Sequence, residues 1–346
     1  MKIRECDVTE WHKIRKELRM KLLGLTCGRK HSTNEILLKE ALVAARDQGI
    51  DISMIRLLEL DLKPCTGCIA CVMGLANGGP GECVIRDDWH FLHDHLLECD
   101  GLIVAAPVFV LGAHGIIKLI ADRFGPARDI AFRTMAKMIR EERGLTKGKG
   151  VDERTFKDRV GGFISVGGAI TKNWLSFGLP MMHLLTFPSA IKIVDQIEVM
   201  GAGQFMNVVL EPQHIERARR LGKHVAEAMQ NPTQAATWMG EEAGICPVCH
   251  CNLLTVYSKN PVECPVCGIE GTLSMDGDTI KVAFSPEEIA MARGTFAASH
   301  EHNEEILNNL RIFEQRPDKD QIAERVAPYK APAFESFVIP PPTKEK

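Results

Sequence analysis

The feature that most constrains the fold is a regular alternation of short apolar runs with helix-like segments between residues 21 and 230. KLLGLT (Lys21 to Thr26) is an apolar run that ends in a turn. Thr33 to Gln48 follows with Ile36, Leu37, Ala41 and Ala44 near a 3.6-residue period, which predicts a helix. ISMIRLLEL (Ile52 to Leu60) reads as a second strand, Asp87 to Glu98 as a helix and GLIVAA (Gly101 to Ala106) as a buried strand. Ile116 to Phe124 is a helix, Val160 to Val166 and Ala190 to Val199 are strands, and Glu211 to Gln230 is a closing helix. Strands separated by helices require crossover connections, so the pattern predicts an α/β fold: a five-stranded parallel sheet with helices on both faces. Ligands of such sheets bind beyond the carboxyl ends of the strands. The loops that follow the strands are therefore where chemistry is expected.

Cysteine usage adds a second constraint. Eight of the twelve cysteines fall into two sets. Cys65, Cys68, Cys71 and Cys83 sit in one glycine-rich loop, CTGCIACVMGLANGGPGEC. A cubane 4Fe-4S cluster needs four thiolates, and successive x2 gaps let one loop wrap several irons while a later cysteine supplies the fourth. Zinc prefers two separated pairs, but a structural zinc or free redox thiols also remain open here. The second set, Cys246-x2-Cys249-x14-Cys264-x2-Cys267, is two knuckles reading CPVC. That spacing brings four sulfurs round one tetrahedral ion, iron or zinc. His250 and Cys251 lie beside the first knuckle without being expected as ligands.

The net charge of −3 offers no electrostatic invitation to nucleic acid. No apolar run reaches the ~18 residues of a membrane span. The N-terminal stretch lacks the apolar core of a secretory signal, so a cytoplasmic location is expected, where cysteines serve as metal or redox ligands rather than disulfides.

After the first strand, TCGRKHSTNE (Thr26 to Glu35) leads into a helix. A helix start presents free N–H groups and the positive end of a dipole to an anion. Arg29, Ser32, Thr33 and Asn34 can add charge and hydrogen bonds; ordinary helix capping is the alternative. Neither the Walker loop nor the G-x-G-x-x-G fingerprint is present. AAPVFVLGAHG and SVGGAITKNW follow the third and fourth strands and are small, apolar and nearly uncharged, as the rim of a flat ring system would be.

LLGLTCGRKHSTNEILLKEAL, PCTGCIACV with CVIRDDW, and DGLIVAAPVFV with IKLIADR together resemble the flavodoxin-like NADPH-dependent FMN reductase superfamily, and the cysteine loop resembles that of its iron–sulfur flavoproteins. The resemblance covers roughly residues 20 to 230. It implies a flavodoxin-like fold and FMN, with Cys27, Arg29, Ser32, Thr33 and Asn34 round the phosphate. Pro107, Val108, Phe109, Val110, Gly167 and Gly168 would border the isoalloxazine. Cys27 stands where the family has Ser, and the gap from Cys71 to Cys83 is longer than in the compact family motif. The CPVC-G ending resembles rubredoxin-like modules and zinc ribbons alike.

The expected layout is an N-terminal extension (1–20), a flavin domain (21–232) carrying the cysteine loop (61–86), a four-cysteine β-ribbon module (244–284), and a C-terminal helix from Ser285 with an extended Pro-rich tail (to 346). Asn231 to Gly244 reads as a linker, and Arg140 to Lys149 as a mobile loop. The expected function is an oxidoreductase passing electrons between NAD(P)H, ferredoxin or rubredoxin, a 4Fe-4S cluster, FMN and a small-molecule acceptor, in a homodimer or homotetramer. Two alternatives stand beside it. One is a substrate-specific reductase of an activated double bond or nitro group. The other is a zinc-bearing regulatory or binding protein on the same scaffold. No acid–base catalyst stands out.

Overall fold

The structure is a computed structural model and describes residues 20–203, 208–230, 237–335 and 339. It divides into one unit ending at Ser299 and a second beginning at His300.

In the first unit the chain runs β1 (Lys21–Thr26), α1 (Thr33–Arg46), β2 (Asp51–Arg56), α2 (Ala70–Ala76), α3 (Trp89–Glu98), β3 (Gly101–Phe109), β4 (Gly112–Ala113), α4 (Gly115–Arg128), α5 (Ile130–Glu142), β5 (Val160–Val166), α6 (Gly178–His183), β6 (Lys192–Val199) and α7 (Pro212–Gln230). The sheet has the order β2-β1-β3-β5-β6 with every one of these neighbours parallel. Five long strands are as the sequence predicts. The two-residue β4 folds back on β3 as a sixth. β5 is buried along its whole length. One core layer packs α1 and α7 on the sheet through Leu37, Leu38, Ala41, Leu221 and Val225. The other layer packs α3 and α4 through Leu92, Leu96, Ile117, Ile120 and Phe124.

Several expectations shift at their edges. The second strand ends at Arg56 and continues as a 3-10 turn, Leu57–Glu59, because Leu57 buries while Leu58 and Glu59 turn outward. The stretch from Arg140 begins inside a helix that the sequence reading missed, α5. The Arg140 guanidinium then pins the following loop by donating to the carbonyls of Lys147 (3.0 Å) and Gly148 (2.7 Å). The single helix expected from Ser285 is two, Pro286–Ala290 and Phe296–Glu314, interrupted around Gly294. The tail has a short helix, Pro332–Glu335, where an extended chain was expected. Residues 231–236 of the expected linker and all of residues 1–19 lie outside the described residues.

Past Trp238 the chain forms the ribbon: β7 (Val262–Glu263), β8 (Glu270–Asp276) and β9 (Thr279–Phe284), an antiparallel sheet in the order β7-β8-β9. In the second unit, the remainder of the long helix is followed by short turns. Asp318 accepts there from Arg316 (2.9 Å) and Arg325 (3.2 Å). Among the described residues no helix is long and apolar enough to cross a membrane.

One ion pair locks the start of α1 to β2. The Glu35 carboxylate has no exposed side-chain surface and takes a bidentate grip from Arg56, with both contacts at 2.9 Å, plus Lys39 at 2.5 Å. The Arg56 hydrogen bonds hold its carboxyl down to about 2, against the upward pull of burial. A carboxyl held down in the folded state stabilises it fully above its unfolded value of roughly 4.3, and that stabilisation is lost as pH falls from there towards 2. Glu35→Gln is expected to cost about 1–2 kcal/mol at pH 7, because Arg56 is partly solvated. The difference from wild type should narrow in urea melts at pH 3. An equal gap at both pH values would show that the pair does not carry the acid sensitivity.

Candidate functional site

β1, β3 and β5 lie side by side, so the loops after them share the carboxyl edge of the sheet, and the order in which strands are added reverses between β1 and β3. The first loop is a cradle at the start of the 14-residue helix α1. Ser32 is its N-cap, yet its hydroxyl makes no capping bond and is buried without a hydrogen-bond partner. Asn34 is likewise buried, and its Oδ1 is unpartnered. Both side chains lean over Gly28, where an added Cβ would lie 2.5 Å from Ser32 Oγ and 3.0 Å from Asn34 Cβ. Buried polar atoms normally find partners. The Ser32 hydroxyl, with the free N–H groups of the helix start, is placed to donate to a phosphate, and the Asn34 side chain can add its amide N–H; the Asn34 Oδ1 is an acceptor and is not satisfied by that anion. Arg29 is exposed at the rim, and Thr33 is half-buried at the first helical position.

Cys27 departs from the expected set. Its thiol is buried in the core layer of α3 and α4, lies 3.6 Å from the Ala105 carbonyl, and is pushed up to about 12 by burial. Its N–H is already given to Ala105 O at 3.2 Å. Cys27 supports the loop from below and does not open onto the cradle.

The second loop is a hairpin. β3 runs on through Pro107, Val108 and Phe109, and the turn residues Val110 and Leu111 both have positive φ, at 48° and 70°. Such values suit the two-residue hairpin turn but are strained for a β-branched side chain. The turn holds Val110 97% exposed and Phe109 61% exposed. The third loop carries Gly167 and Gly168, then Ile170 (81% exposed) and Trp174 (60%). Gly167 has no room for a side chain, since a Cβ would sit 2.6 Å from Leu175. The Phe177 N–H donates to Leu111 O at 3.0 Å, tying the third loop to the hairpin. The result is a rim of exposed apolar side chains beside an anion cradle. His114, which the sequence reading passed over, packs its ring 5.6 Å from that of Phe109, and its Nδ1 accepts from the Ile116 N–H at 3.1 Å.

The cysteine loop follows β2 at the same edge. Its ends are clamped by Asp87 and Asp88, whose carboxylates accept from the N–H groups of Lys63 and Asp61, both at 2.8 Å. Asp88 makes no side-chain cap on α3, whereas Asp87 accepts from the Trp89 N–H at 3.1 Å. Cys65, Cys68, Cys71 and Cys83 all line one cavity of about 160 Å³. They do not converge to single-ion distance. A polynuclear cluster keeps its thiolates further apart than one ion does, so the donor set fits such a cluster better than zinc. Cys83 Sγ accepts from Arg123 at 3.2 Å, and burial pushes the Cys71 thiol up. His93 stacks on Trp89 and lines this cavity.

Cys246, Cys249, Cys264 and Cys267 are buried with their sulfurs all within 4.8 Å of one another, the metal-binding group anticipated from the two knuckles. Backbone N–H groups point at the sulfurs, as from Cys267 to Cys264 Sγ at 3.4 Å. Cys251 is buried beside them, and its sulfur accepts from the Leu253 N–H at 3.3 Å.

Residues 20–179 match the family described as NADPH-dependent FMN reductase. A flavone synthase of Aspergillus candidus is 33% identical over 272 residues, which is 75% of this chain and 80% of that protein. An iron–sulfur flavoprotein of Methanocaldococcus jannaschii is 32% identical over 218 residues, 61% of this chain and 98% of that one. The chain belongs to the NADPH-dependent FMN reductase family. Among solved structures, a flavone reductase superposes with a TM-score of 0.72 at 26% identity, over 94% of this chain and 100% of the other. The protein is thus a flavin-dependent oxidoreductase, and the partnerless Ser32 hydroxyl over Gly28, beside the free N–H groups that open α1, fits the phosphate of FMN. The scaffold-only alternative, a zinc-bearing binding protein without redox chemistry, is set aside by this membership.

Proposed function

We propose that this oxidoreductase reduces a flat, conjugated small molecule whose C=C bond is activated by a carbonyl, with electrons from NAD(P)H or a reduced ferredoxin or rubredoxin. The observation that carries this reading is the exposed apolar rim of Phe109, Val110, Ile170 and Trp174 beside the cradle. Solvent-facing aromatic and branched side chains in such a cluster serve a binding role more readily than a structural one. Likeness to a flavone reductase along nearly the whole chain, and to a flavone synthase, points to the same substrate class.

Bound at this edge, FMN supplies two-electron hydride chemistry. Ser32, Thr33, Asn34 and the α1 N–H groups hold its phosphate, with Arg29 at the rim. Pro107 to Val110 and the Gly167–Gly168 backbone border its ring. The tied loops keep that border rigid, and Phe109, Val110 and Trp174 exclude water from a stacked substrate. The His114 imidazole keeps its Nε2 proton, because Nδ1 is the acceptor for Ile116.

A second reading, in which the cysteine loop relays single electrons through a 4Fe-4S cluster, draws support from the four cysteines lining one cavity and from the iron–sulfur relative. The test is anaerobic reoxidation of the NADPH-reduced flavin. A flavone or another aryl enone is expected to reoxidise it at least ~100-fold faster than its saturated analogue. Reoxidation by one-electron acceptors alone would sink the double-bond reading and leave the relay.

A further inference from the structure

The cysteine cavity has a second wall, contributed by the helices that follow the loop: His93 on α3, Arg123 and Arg128 on α4 and Arg133 on α5. Two of these guanidiniums have clear partners. Arg123 donates to Asp87, to the Lys63 carbonyl and to Cys83 Sγ. Arg133 donates to Thr155 at 2.9 Å. Arg128 is different. It is only 4% exposed, and its Nε and Nη1 have no hydrogen-bond partner. Its guanidinium lies 5.6 Å from the Phe124 ring, and its charged surroundings are mostly cationic (Arg133, Arg159 and Arg154), with Asp152 as the nearby carboxylate. Burial drives its pKa well below the usual value. His93 Nε2 and Arg123 Nε are unpartnered as well.

A buried guanidinium without an acceptor is costly, and a protein keeps one where an anion meets it. One wall of this cavity is thus rich in unmatched nitrogen and the other carries four thiols. An iron–sulfur cluster held by thiolates is an anionic group that would satisfy both. The break in α4 at Gly125 (φ 21°, ψ −145°) separates Arg123 from Arg128, so the two guanidiniums leave different helical segments and still line one cavity.

We infer that Arg128 is the buried counter-charge of the four-cysteine site, a positioning residue that stabilises the reduced cluster. The inference rests on the 4Fe-4S reading of Cys65, Cys68, Cys71 and Cys83. One-electron reduction adds one negative charge to the cluster and no proton, so a fixed positive charge in a dry wall favours the reduced form. The electron comes from the NAD(P)H or ferredoxin-type donor, or from dithionite in the test.

The experiment is an EPR-monitored redox titration of anaerobically purified holoprotein, with iron counted per chain. Arg128→Met is expected to keep its iron while the reduced cluster is destabilised at least tenfold, a fall in midpoint of 59 mV for a one-electron couple. Arg143→Met removes an exposed charge and is expected to leave the midpoint in place, as solvent screens it. An unchanged midpoint in an iron-replete Arg128→Met overturns the inference and leaves the 4Fe-4S reading standing. Wild-type protein without iron overturns both. If Arg128→Met misfolds or loses its iron, Arg128→Lys decides: iron and midpoint retained support the counter-charge, and iron lost with the charge kept overturns it.

Discussion

Gly28→Val is expected to yield a folded protein that has lost its FMN. A Cβ at Gly28 would lie 2.5 Å from Ser32 Oγ and 3.0 Å from Asn34 Cβ, so the branched side chain fills the cradle itself. The α3–α4 core layer is untouched, because Cys27 packs into it on the other side of the loop. Phosphate held by several charge-assisted hydrogen bonds loses most of them together, which weakens FMN binding roughly 100-fold or more. Flavin fluorescence titration into the apoprotein, with circular dichroism as the folding control, reads the effect. Wild-type affinity in Gly28→Val would place the phosphate elsewhere. Ser32→Ala should show a smaller loss of the same kind, about 1–2 kcal/mol, since one donor goes while the helix N–H groups stay.

The second large effect concerns the ribbon. Of the eight residues in its buried cluster five are cysteines, with Val266, Ile269 and Ala292 as the remainder. So few aliphatic groups cannot fold a module of this size, and a tetrahedral metal takes the place of a core. Metal binding in comparable four-ligand modules contributes about 10–16 kcal/mol to folding. Cys264→Ser is therefore expected to lose one iron or zinc per chain and to unfold residues from about Gly244 to Phe284, while the flavin domain keeps its FMN. Metal analysis with limited proteolysis checks this; a metal-free ribbon that still resists protease would refute the dependence. Whether the ion lost is iron or zinc separates an electron-transfer module from a structural one.

What the sequence revealed and what it concealed follow from the range of the interactions involved. β1, β3 and β5 were legible because their burial on both faces leaves unbroken apolar runs such as GLIVAA and VGGFISV. The CPVC knuckles were legible because metal ligands in a tight turn must be close in sequence. The inward turn of the Cys27 thiol was not, since residue type alone does not say which layer a side chain at a strand end joins. α5 was hidden by its charged residues, including Arg133, which is buried against Thr155 rather than solvated. Arg128 stands out only in three dimensions, where a helix break brings it to a loop some forty positions away. The third-loop contact from Phe177 to Leu111 is of the same kind.

The ribbon bears on more than its own ion. β6 is an edge of the parallel sheet, and an uncovered edge invites pairing with other chains. Here Met239 N–H bonds to Val194 O at 2.8 Å, Gln196 donates to the His250 carbonyl at 3.3 Å, and Trp238 stacks on the His250 ring. The first knuckle thus sits against one of the two edge strands of the sheet, the other being β2. Loss of the ribbon's metal would therefore be expected to uncover β6, so the ion guards a sheet edge as well as its own module.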